Sequence, residues 1–224
     1  MSEDRLDPTL TTRIDFERVG ADVVASAAGL SAATLHEAGG KIGALPAEIK
    51  PLVPGWRVCG PAVTVHSPGG DNLWLHRAIY ACQPGDVLVV HVSDQYEHGY
   101  WGEVMATAAR AVGIAGLIID GGVRDSVLLG QIGFPVFSRG LSIRGTGKDF
   151  GARGWINAPT RFGDTTVNAG DLMFGDADGV VCIPREKAAA VVAAGHERDA
   201  WEAGLCTRLE QGETTLDLFG FRAP

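Results

Sequence analysis

The stretch Ile114-Ala115-Gly116-Leu117-Ile118-Ile119-Asp120-Gly121-Gly122-Val123-Arg124-Asp125 decides the fold class of this sequence. Its first part, Ile114 to Asp120, is an apolar run of the length expected for a buried strand. The run leads into a glycine-rich turn, and a helix from Ser126 to about Ile132 is predicted to follow. A strand, a turn and a helix in this order predict an α/β unit, whose ligands bind where the strand ends.

The neighbouring segments repeat this alternation. A strand is predicted over 87–92, a helix over 102–112 and a short strand over 135–138. Earlier segments are predicted to form a helix over 13–29, a short helix capped by Ser31, a strand over 56–65 interrupted by a turn, and a helix over 73–82. This order is typical of an α/β core with parallel strands.

The sequence after residue 140 has a different pattern. Short β runs over 165–167, 172–174 and 180–183 suggest antiparallel or barrel-like pairing, with a turn at Asp176-Ala177-Asp178-Gly179. A helix is predicted to start at Pro184 and to continue beyond Glu202 to Leu209. Because no linker or low-complexity segment divides the chain, residues 1–224 are expected to form a single domain.

Composition and charge narrow the function classes. The 224 residues are 46% hydrophobic and 21% charged, which is enough apolar material for a packed core. The net charge of −8 argues against a nucleic-acid partner, because phosphate binding needs a basic surface. No apolar run has the roughly eighteen residues of a membrane span, the first residues are polar, and the four cysteines form no C-x-x-C pair. We therefore expect a cytoplasmic protein with no membrane partner.

The pair Arg124-Asp125 is the most informative candidate for chemistry. An arginine offers a planar fork that fits a carboxylate, and an aspartate is a hard oxygen ligand suited to Mg²⁺ or Mn²⁺. Together the two side chains could hold a small keto acid, with the arginine on the carboxylate and the metal on the keto oxygen. The alternative is purely structural, since an Arg–Asp pair just before Ser126 could cap the next helix.

Two further segments could reach the same cleft. The helix predicted from Gly102 offers free N–H groups to an anion, although Glu103 could simply complement the helix dipole. The loop before Asn72 leads into a helix that carries His76, a residue that could equally be an ordinary hydrogen-bonded histidine. His91 and His98 lack the spacing of zinc ligands, so a three-histidine zinc site is not expected.

Several of these pieces resemble one known family. They are Pro68-Gly69-Gly70-Asp71-Asn72, Gly102-Glu103 and Val123-Arg124-Asp125, supported by Gly133-Phe134-Pro135-Val136-Phe137-Ser138 and Asp176-Ala177-Asp178-Gly179-Val180. The family comprises the class II pyruvate aldolases acting on 4-hydroxy-4-methyl-2-oxoglutarate and 4-carboxy-4-hydroxy-2-oxoadipate. It shares its fold with the regulator of ribonuclease E activity A (RraA), a non-enzymatic relative. The resemblance implies an RraA-like fold related to swivelling β/β/α domains, assembled as a homotrimer or hexamer.

The resemblance also implies roles for individual residues. Asp125 would be the direct protein ligand of Mg²⁺ or Mn²⁺, and Arg124 would contact the pyruvyl part of the substrate. Glu103 would orient waters around the metal, and Glu202 would approach the site from the C-terminal helix of a neighbouring subunit. The implied substrate-binding groups are Asn72, His76, Gly102, Glu103, Val104, Met105 and Arg124, with the backbone N–H groups of 102–105 on the carboxylate.

One position departs from the family pattern. Aldolases of the family have Glu or Asp three residues after the aspartate of the Arg-Asp pair, and this chain has Leu128. Three functions therefore stay open. The first is a metal-dependent lyase that cleaves a 4-hydroxy-2-keto diacid and releases pyruvate, with an oxaloacetate decarboxylase side activity. The second is an enolate-forming lyase for another keto acid, and the third is a non-catalytic binding regulator like RraA.

Overall fold

Parallel strands connected by helices form the centre of the protein. In the computed structural model, which describes residues 7–222, the helices are α1 (Ala21–Ala27), α2 (Ala32–Ala38), α3 (Leu73–Ile79), α4 (Glu103–Val112), α5 (Ser126–Ile132), α6 (Arg185–Glu210) and α7 (Thr215–Phe219). The strands are β1 (Lys50–Pro51), β2 (Val58–His66), β3 (Val87–His91), β4 (Gly99–Trp101), β5 (Gly116–Val123), β6 (Val136–Leu141), β7 (Trp155–Ile156), β8 (Thr160–Phe162), β9 (Thr165–Val167), β10 (Leu172–Asp176) and β11 (Gly179–Ile183).

The main sheet has the order β1-β6-β5-β3-β2-β10-β11, with β4 beside β5 and β7 beside β2. Strands β2, β3, β5 and β6 are parallel, whereas β10 pairs antiparallel with both β2 and β11. A bridge between Ala44 and Val181 brings β11 close to the segment before β1, so the mixed sheet is nearly closed. The predicted parallel core followed by a β-rich part and a C-terminal helix is confirmed.

Apolar side chains fill three clusters around this sheet. On its outer face, residues such as Leu88 and Ile119 pack against α3, α4 and α5. On its inner face, Val89 and Phe137 pack against Phe162 of the β8–β9 hairpin. The third cluster joins α1, α2 and α6 to β10 and β11. The helices thus leave the carboxyl ends of the parallel strands open, which is where α/β proteins bind ligands.

Two segments differ from the sequence-based expectation. Residues 13–20 form no helix, because the N–H of Arg13 bonds to the carbonyl of Ile156 and that of Val19 bonds to the carbonyl of Gly170. The predicted interruption in the strand over 56–65 is also wrong. Strand β2 is continuous, and at Pro61 it changes its partner from β10 to β3. Hydrogen bonds between segments distant in sequence thus determine both differences from the predicted secondary structure.

The C-terminal helix α6 begins and ends close to the predicted residues, at Arg185 and Glu210. It packs against α1 and α2, and Arg198 on this helix lies 3.8 Å from Glu37 on α2. Within residues 7–222, no helix has the length and apolar character needed to cross a membrane.

Candidate active site

Arg124 and Asp125 follow directly after the end of β5. The N–H of Arg124 donates to the carbonyl of Trp101 at 2.8 Å, which ties this turn to β4. Asp125 has a left-handed backbone (φ 59°, ψ 38°), a conformation that is uncommon for a non-glycine residue and recurs at functional sites. The Nε of Arg124 and the Oδ2 of Asp125 are 3.9 Å apart, and both side chains are partly exposed.

The proposed capping role of this pair on the following helix is not observed. Asp125 occupies the N-cap position of α5, but its side chain accepts no hydrogen bond from that helix. Its Oδ2 instead accepts the N–H of Glu103, the first residue of α4, at 3.1 Å. The carboxylate therefore lies at the N-terminus of α4, where the helix dipole favours negative charge.

Two glycines make room for these side chains. A Cβ on Gly102 would overlap Oδ2 of Asp125, and it would lie 3.2 Å from Cγ of Arg124. A Cβ on Gly99 would overlap the carbonyl of Ser142 and would lie 3.1 Å from Cβ of Arg124. The glycines are thus required by the close approach of Arg124 and Asp125 to β4 and α4.

Most of the predicted site residues line one cavity of about 300 Å³, which we call the Asp125 cavity. Its walls are Asn72, His76, Tyr100, Gly102, Val104, Met105, Arg124, Asp125 and Lys148. Glu103 borders it through the N–H that Asp125 accepts, so this N–H is not available to a ligand. The N–H groups of Val104 and Met105 are the next two at the N-terminus of α4, and such groups have no partner within their helix.

Asn72 brings an unpaired polar atom to this cavity. Its side chain is buried, and Nδ2 donates to the carbonyl of Tyr100 at 3.0 Å, which fixes the orientation of the amide. Its Oδ1 is buried without a hydrogen-bond partner among residues 7–222. A buried polar atom without a partner costs free energy, which a hydroxyl or N–H group that reached Oδ1 would relieve.

Lys148 belongs to the site although the sequence analysis did not identify it. The chain around it is held by the buried Asp71, whose Oδ2 accepts the N–H of Asp149 and whose Oδ1 accepts the N–H of Leu73. The N–H of Gly147 also donates to the carbonyl of Gly70 at 2.7 Å. A lysine between glycine-rich residues was the available clue, but only the contact between two distant loops places it here.

His76 shares the cavity with Lys148. Burial lowers the pKa of His76, and the nearby positive charge of Lys148 lowers it further, whereas Asp71 raises it. The imidazole is therefore neutral at pH 7 and can accept a proton. The cavity then holds two cationic side chains, Arg124 and Lys148, against the single carboxylate of Asp125, which suits an anionic ligand.

A comparison with protein families shows which family the chain belongs to. A model of the RraA-like family, described as Aldolase/RraA, matches residues 21–182. The chain belongs to the RraA-like family. A curated relative from Halalkalibacterium halodurans, named "Putative 4-hydroxy-4-methyl-2-oxoglutarate aldolase", is 39% identical over 141 residues. That match covers 63% of this chain and 66% of the relative, so the chain spans just under two thirds of the relative's length.

Solved structures of the family confirm the RraA-like fold. An uncharacterized protein from Pseudomonas syringae pv. tomato str. DC3000 superposes with a TM-score of 0.78 at 29% identity, covering 89% of this chain and 93% of that one. RraAS2 of Streptomyces coelicolor, described as an unusual member of the RNase ES inhibitor RraA protein family, superposes with a TM-score of 0.73 at 28% identity. The superposition covers 84% of this chain and 98% of RraAS2.

Glu202 lies elsewhere in this RraA-like chain. It is on α6, where it forms an ion pair with Arg198 at 2.8 Å, and it does not line the Asp125 cavity. Helix α6 packs against α1 and α2, whereas the cavity is built by β4, β5, α3, α4 and the start of α5. A role for Glu202 in the site thus requires another subunit, as the resemblance implies.

Exposed aliphatic side chains surround the Arg124-Asp125 turn. We call this group the apolar collar, and it consists of Val104, Val127, Leu128, Leu141 and Ile143. Ile143 is 96% exposed and Val104 is 77% exposed, whereas Leu128 is 39% exposed and so does not pack in the core. Exposed apolar side chains grouped beside a candidate site are typical of an interaction surface.

The donor atoms around Asp125 fit a metal that needs few protein ligands, such as Mg²⁺ or Mn²⁺. Residues 7–222 contain no group of three or more His, Cys, Asp or Glu side chains that could hold a metal ion. Asp125 offers a carboxylate whose Oδ1 accepts no hydrogen bond from the described residues. Mg²⁺ commonly binds through one or two carboxylates and keeps several waters, so a single carboxylate fits this metal and does not fit structural zinc.

Proposed function

We propose that this protein is a divalent-metal-dependent lyase that cleaves a 4-hydroxy-2-keto diacid by a retro-aldol reaction and releases pyruvate. The observation that carries the proposal is the convergence of Arg124, Asp125 and Lys148 on one cavity beside the N-terminus of α4. This set combines one carboxylate ligand for a metal with two cationic groups for the two ends of a diacid. The aldolase name of the relative supports the same reaction class.

The two ends of the substrate would be held by different groups. The guanidinium of Arg124 and the N–H groups of Val104 and Met105 would bind the carboxylate next to the keto group. Lys148 would bind the distal carboxylate. Asn72 Oδ1, which has no partner among the described residues, would accept a hydrogen bond from the 4-hydroxyl group. This placement fixes the scissile bond between two anchored ends.

The reaction then requires one proton acceptor and one electron sink. His76, which is neutral at pH 7, would take the proton of the 4-hydroxyl group. The electron pair of the former O–H bond forms a C4=O double bond as the C3–C4 bond breaks, so the C4 part leaves as a keto acid. The electron pair of the C3–C4 bond moves onto the pyruvyl part as an enolate, and the same proton returns to C3 to give pyruvate. Arg124 would stabilise the negative charge of the enolate. Mg²⁺ or Mn²⁺ held by Asp125 would polarise the 2-keto group.

The site would be completed by a neighbouring subunit in a homotrimer or hexamer. The apolar collar surrounds the catalytic turn and is exposed in a single chain. On α6, α7 and the residues that follow, Trp201, Phe219 and Phe221 form an exposed aromatic group. The ring centroids of Trp201 and Phe219 are 6.1 Å apart, and those of Phe219 and Phe221 are 5.5 Å apart. Packing of this group near the collar of the next subunit would bury both and would bring Glu202 towards Asp125.

Pyruvate release tests this function directly. We expect the purified protein to release pyruvate from 4-hydroxy-4-methyl-2-oxoglutarate with Mg²⁺ or Mn²⁺, and to lose this activity in EDTA. Lys148→Met should raise the KM for the diacid about tenfold, because one charge-assisted contact is lost. A matched monoacid that lacks the distal carboxylate should show no such change. Failure to cleave any 4-hydroxy-2-keto diacid with either metal would reject the proposal.

A second candidate is a non-catalytic regulator. Its support is the structural similarity to RraAS2, together with Leu128 in place of the acid found in the aldolase pattern. A regulator would bind a protein partner through the apolar collar and would show no metal-dependent turnover. An enolate-forming lyase for another keto acid is the intermediate case. The substrate panel separates the three, since only the regulator leaves every keto acid intact.

A further inference from the structure

A row of polar and aromatic side chains crosses the carboxyl ends of the parallel strands, away from the Asp125 cavity. His66 ends β2, His91 ends β3, and the sheet register places both in line with Asp120 on β5. Because residues in register on adjacent parallel strands face the same side, these three side chains share the inner face of the sheet.

The row continues at both ends. On one side, Trp155 of β7 pairs with His66, and their ring centroids are 4.6 Å apart. On the other side, Arg139 of β6 forms an ion pair with Asp120. Five adjacent strands thus contribute one polar or aromatic side chain each to the row. In their order across the sheet they are β7, β2, β3, β5 and β6. None of the five was predicted to form a site, because the register between distant strands brings them together.

This row borders a cavity of about 660 Å³, which we call the strand-row cavity. Its opposite wall is formed by Pro46 and the segment 158–161, and it shares no lining residue with the Asp125 cavity. Its volume lies within the range of roughly 300–1,000 Å³ that is usual for small-molecule sites. It also lies where α/β sheets bind ligands.

The backbone beside the row is strained, which is an independent observation. Ser93 and Asp94 are consecutive non-glycine residues with left-handed backbones, at φ 49° and 60°. This turn lets the N–H of Ser93 donate to Nδ1 of His91 at 3.3 Å and places Oγ of Ser93 3.1 Å from Nε2 of His66. Strained residues of this kind persist where the surrounding structure holds them, commonly at binding sites.

The charges of the cavity are balanced. Arg139 is neutralised by Asp120 and stacks on the ring of Tyr96, with its Cζ 4.0 Å from the ring centroid. Asp94 accepts the hydroxyl of Tyr96 at 2.6 Å, and Arg161 donates to the carbonyl of Gly163 at 2.8 Å. Two guanidinium groups therefore face two carboxylates. A strongly charged ligand would therefore gain little net electrostatic attraction in this cavity.

The remaining walls are flat. They are the indole of Trp155, which is 40% exposed, the imidazoles of His66 and His91, whose ring planes are 15° apart, and the rings of Pro46 and Pro159. Burial lowers the pKa of His66, so this imidazole is neutral at pH 7. Flat walls with hydrogen-bonding groups of both kinds at the rim match a planar ring that carries donors and acceptors.

We propose that the strand-row cavity is a second small-molecule site, which binds an uncharged planar nitrogen heterocycle of the nucleobase type. The ring would stack on Trp155, and Asp94 and Arg161 would bind the donors and acceptors on its edge. This site is independent of the proposed lyase activity.

The test is a binding titration of the full-length protein with adenine, cytosine and hypoxanthine, followed by calorimetry and ligand-observed NMR. At least one of the three should bind with a Kd of millimolar or tighter. Trp155→Ala should weaken this binding about tenfold, the usual effect of losing one stacking partner. The exposed Arg161→Ala should weaken it several-fold, and Trp201→Ala, which removes an exposed tryptophan elsewhere, should leave it unchanged.

Three results would overturn the proposal. They are the absence of binding by all three heterocycles, equal binding by the wild type and both cavity variants, or tighter binding of the planar anion benzoate than of any heterocycle. Arg161→Ala keeps the test decisive if Trp155→Ala does not fold. Pyruvate release by Trp155→Ala should equal that of the wild type, which separates this site from the Asp125 cavity.

Discussion

The Asp125 cavity and the strand-row cavity differ in how far their polar groups are already paired. In the strand-row cavity, Arg139 forms an ion pair with Asp120, and Asp94 accepts the hydroxyl of Tyr96. The Asp125 cavity has a partly exposed carboxylate, an unpaired amide oxygen on Asn72 and exposed aliphatic residues beside it. The difference supports our proposal that the Asp125 cavity is completed by metal, substrate and a neighbouring subunit, whereas the proposed strand-row site uses residues of one chain.

The largest effect is expected from Asp125→Asn. Asparagine tolerates the left-handed backbone and can still accept the N–H of Glu103, so the variant should fold normally. Loss of the negative charge removes the metal ligand, and kcat/KM for pyruvate release should fall by about 10³-fold or more. Asp164→Asn, at an exposed turn, is the control. Activity within tenfold of wild type would contradict the role of Asp125.

Arg124→Lys tests the second group of the Asp125 cavity. A lysine keeps the positive charge but cannot form two parallel hydrogen bonds to a carboxylate, so kcat/KM should fall roughly 100-fold. Steady-state kinetics measure the effect, and Arg110→Lys on the far end of α4 is a matched control. An unchanged kcat/KM would show that Arg124 does not contact the reacting acid.

Subunit mixing tests whether the Asp125 cavity is completed in trans. Asp125→Ala and Glu202→Ala homo-oligomers should each be poorly active. After equal mixing with subunit exchange, each site takes Asp125 from one subunit and Glu202 from its neighbour. Each of these residues is native with a chance of 1/2, so about one quarter of the wild-type activity should return. Glu197→Ala, on the exposed face of the same helix, is the control. A monomer in light scattering, or no recovery on mixing, would remove the difference between the two cavities.

Leu128→Glu should sharpen the description of the metal site. A carboxylate three residues after Asp125 lies on the same face of α5 and can accept a hydrogen bond from water around the metal. The half-saturating Mg²⁺ concentration should fall about tenfold, the lower end of the usual effect of such contacts. The control is Val127→Glu, which adds the same charge at the neighbouring exposed position. Equal metal titrations for the wild type and Leu128→Glu would show that Leu128 does not limit metal affinity.

The smallest effect concerns pH, and it involves one histidine from each cavity. Burial lowers the folded-state pKa of His66 and of His76 below the usual value, so the unfolded chain binds protons more readily. The free energy of unfolding should therefore be constant above about pH 6.5 and should decline as the pH falls below it. Denaturation at pH 7.5 and 5.5 measures the decline. If His66→Gln and His76→Gln both leave this decline in the free energy of unfolding unchanged, neither cavity lowers the pKa of its histidine.

The sequence could predict the parts of the molecule that local patterns encode. The strand before Arg124-Asp125, the glycine before α4 and the Ser31 cap of α2 are all where the sequence analysis placed them. The convergence of Asn72, His76 and Asp125 followed from the expectation that ligands gather at strand ends. Periodicity and turn chemistry were sufficient because the residues involved are close in sequence to a strand end.

The parts that were missed depend on contacts between distant segments. The non-helical conformation of 13–20 requires acceptors on Ile156 and Gly170, and the position of Lys148 requires the buried Asp71. The strand-row cavity requires the register of five strands. The single-domain organisation, the metal and the contribution of Glu202 stay predictions, because local sequence patterns do not determine assembly or bound ions.

The pairing of β2 with β10 also affects how the protein is made. Strand β2 ends at His66, and β10, which covers its first half, begins at Leu172, 172 − 66 = 106 residues later. At about 5–20 residues per second, ribosomal synthesis of that interval takes about 5–20 s. During this time an apolar strand edge stays open to pairing with other chains. The late β10–β11 hairpin is therefore the segment that protects the nascent chain from aggregation.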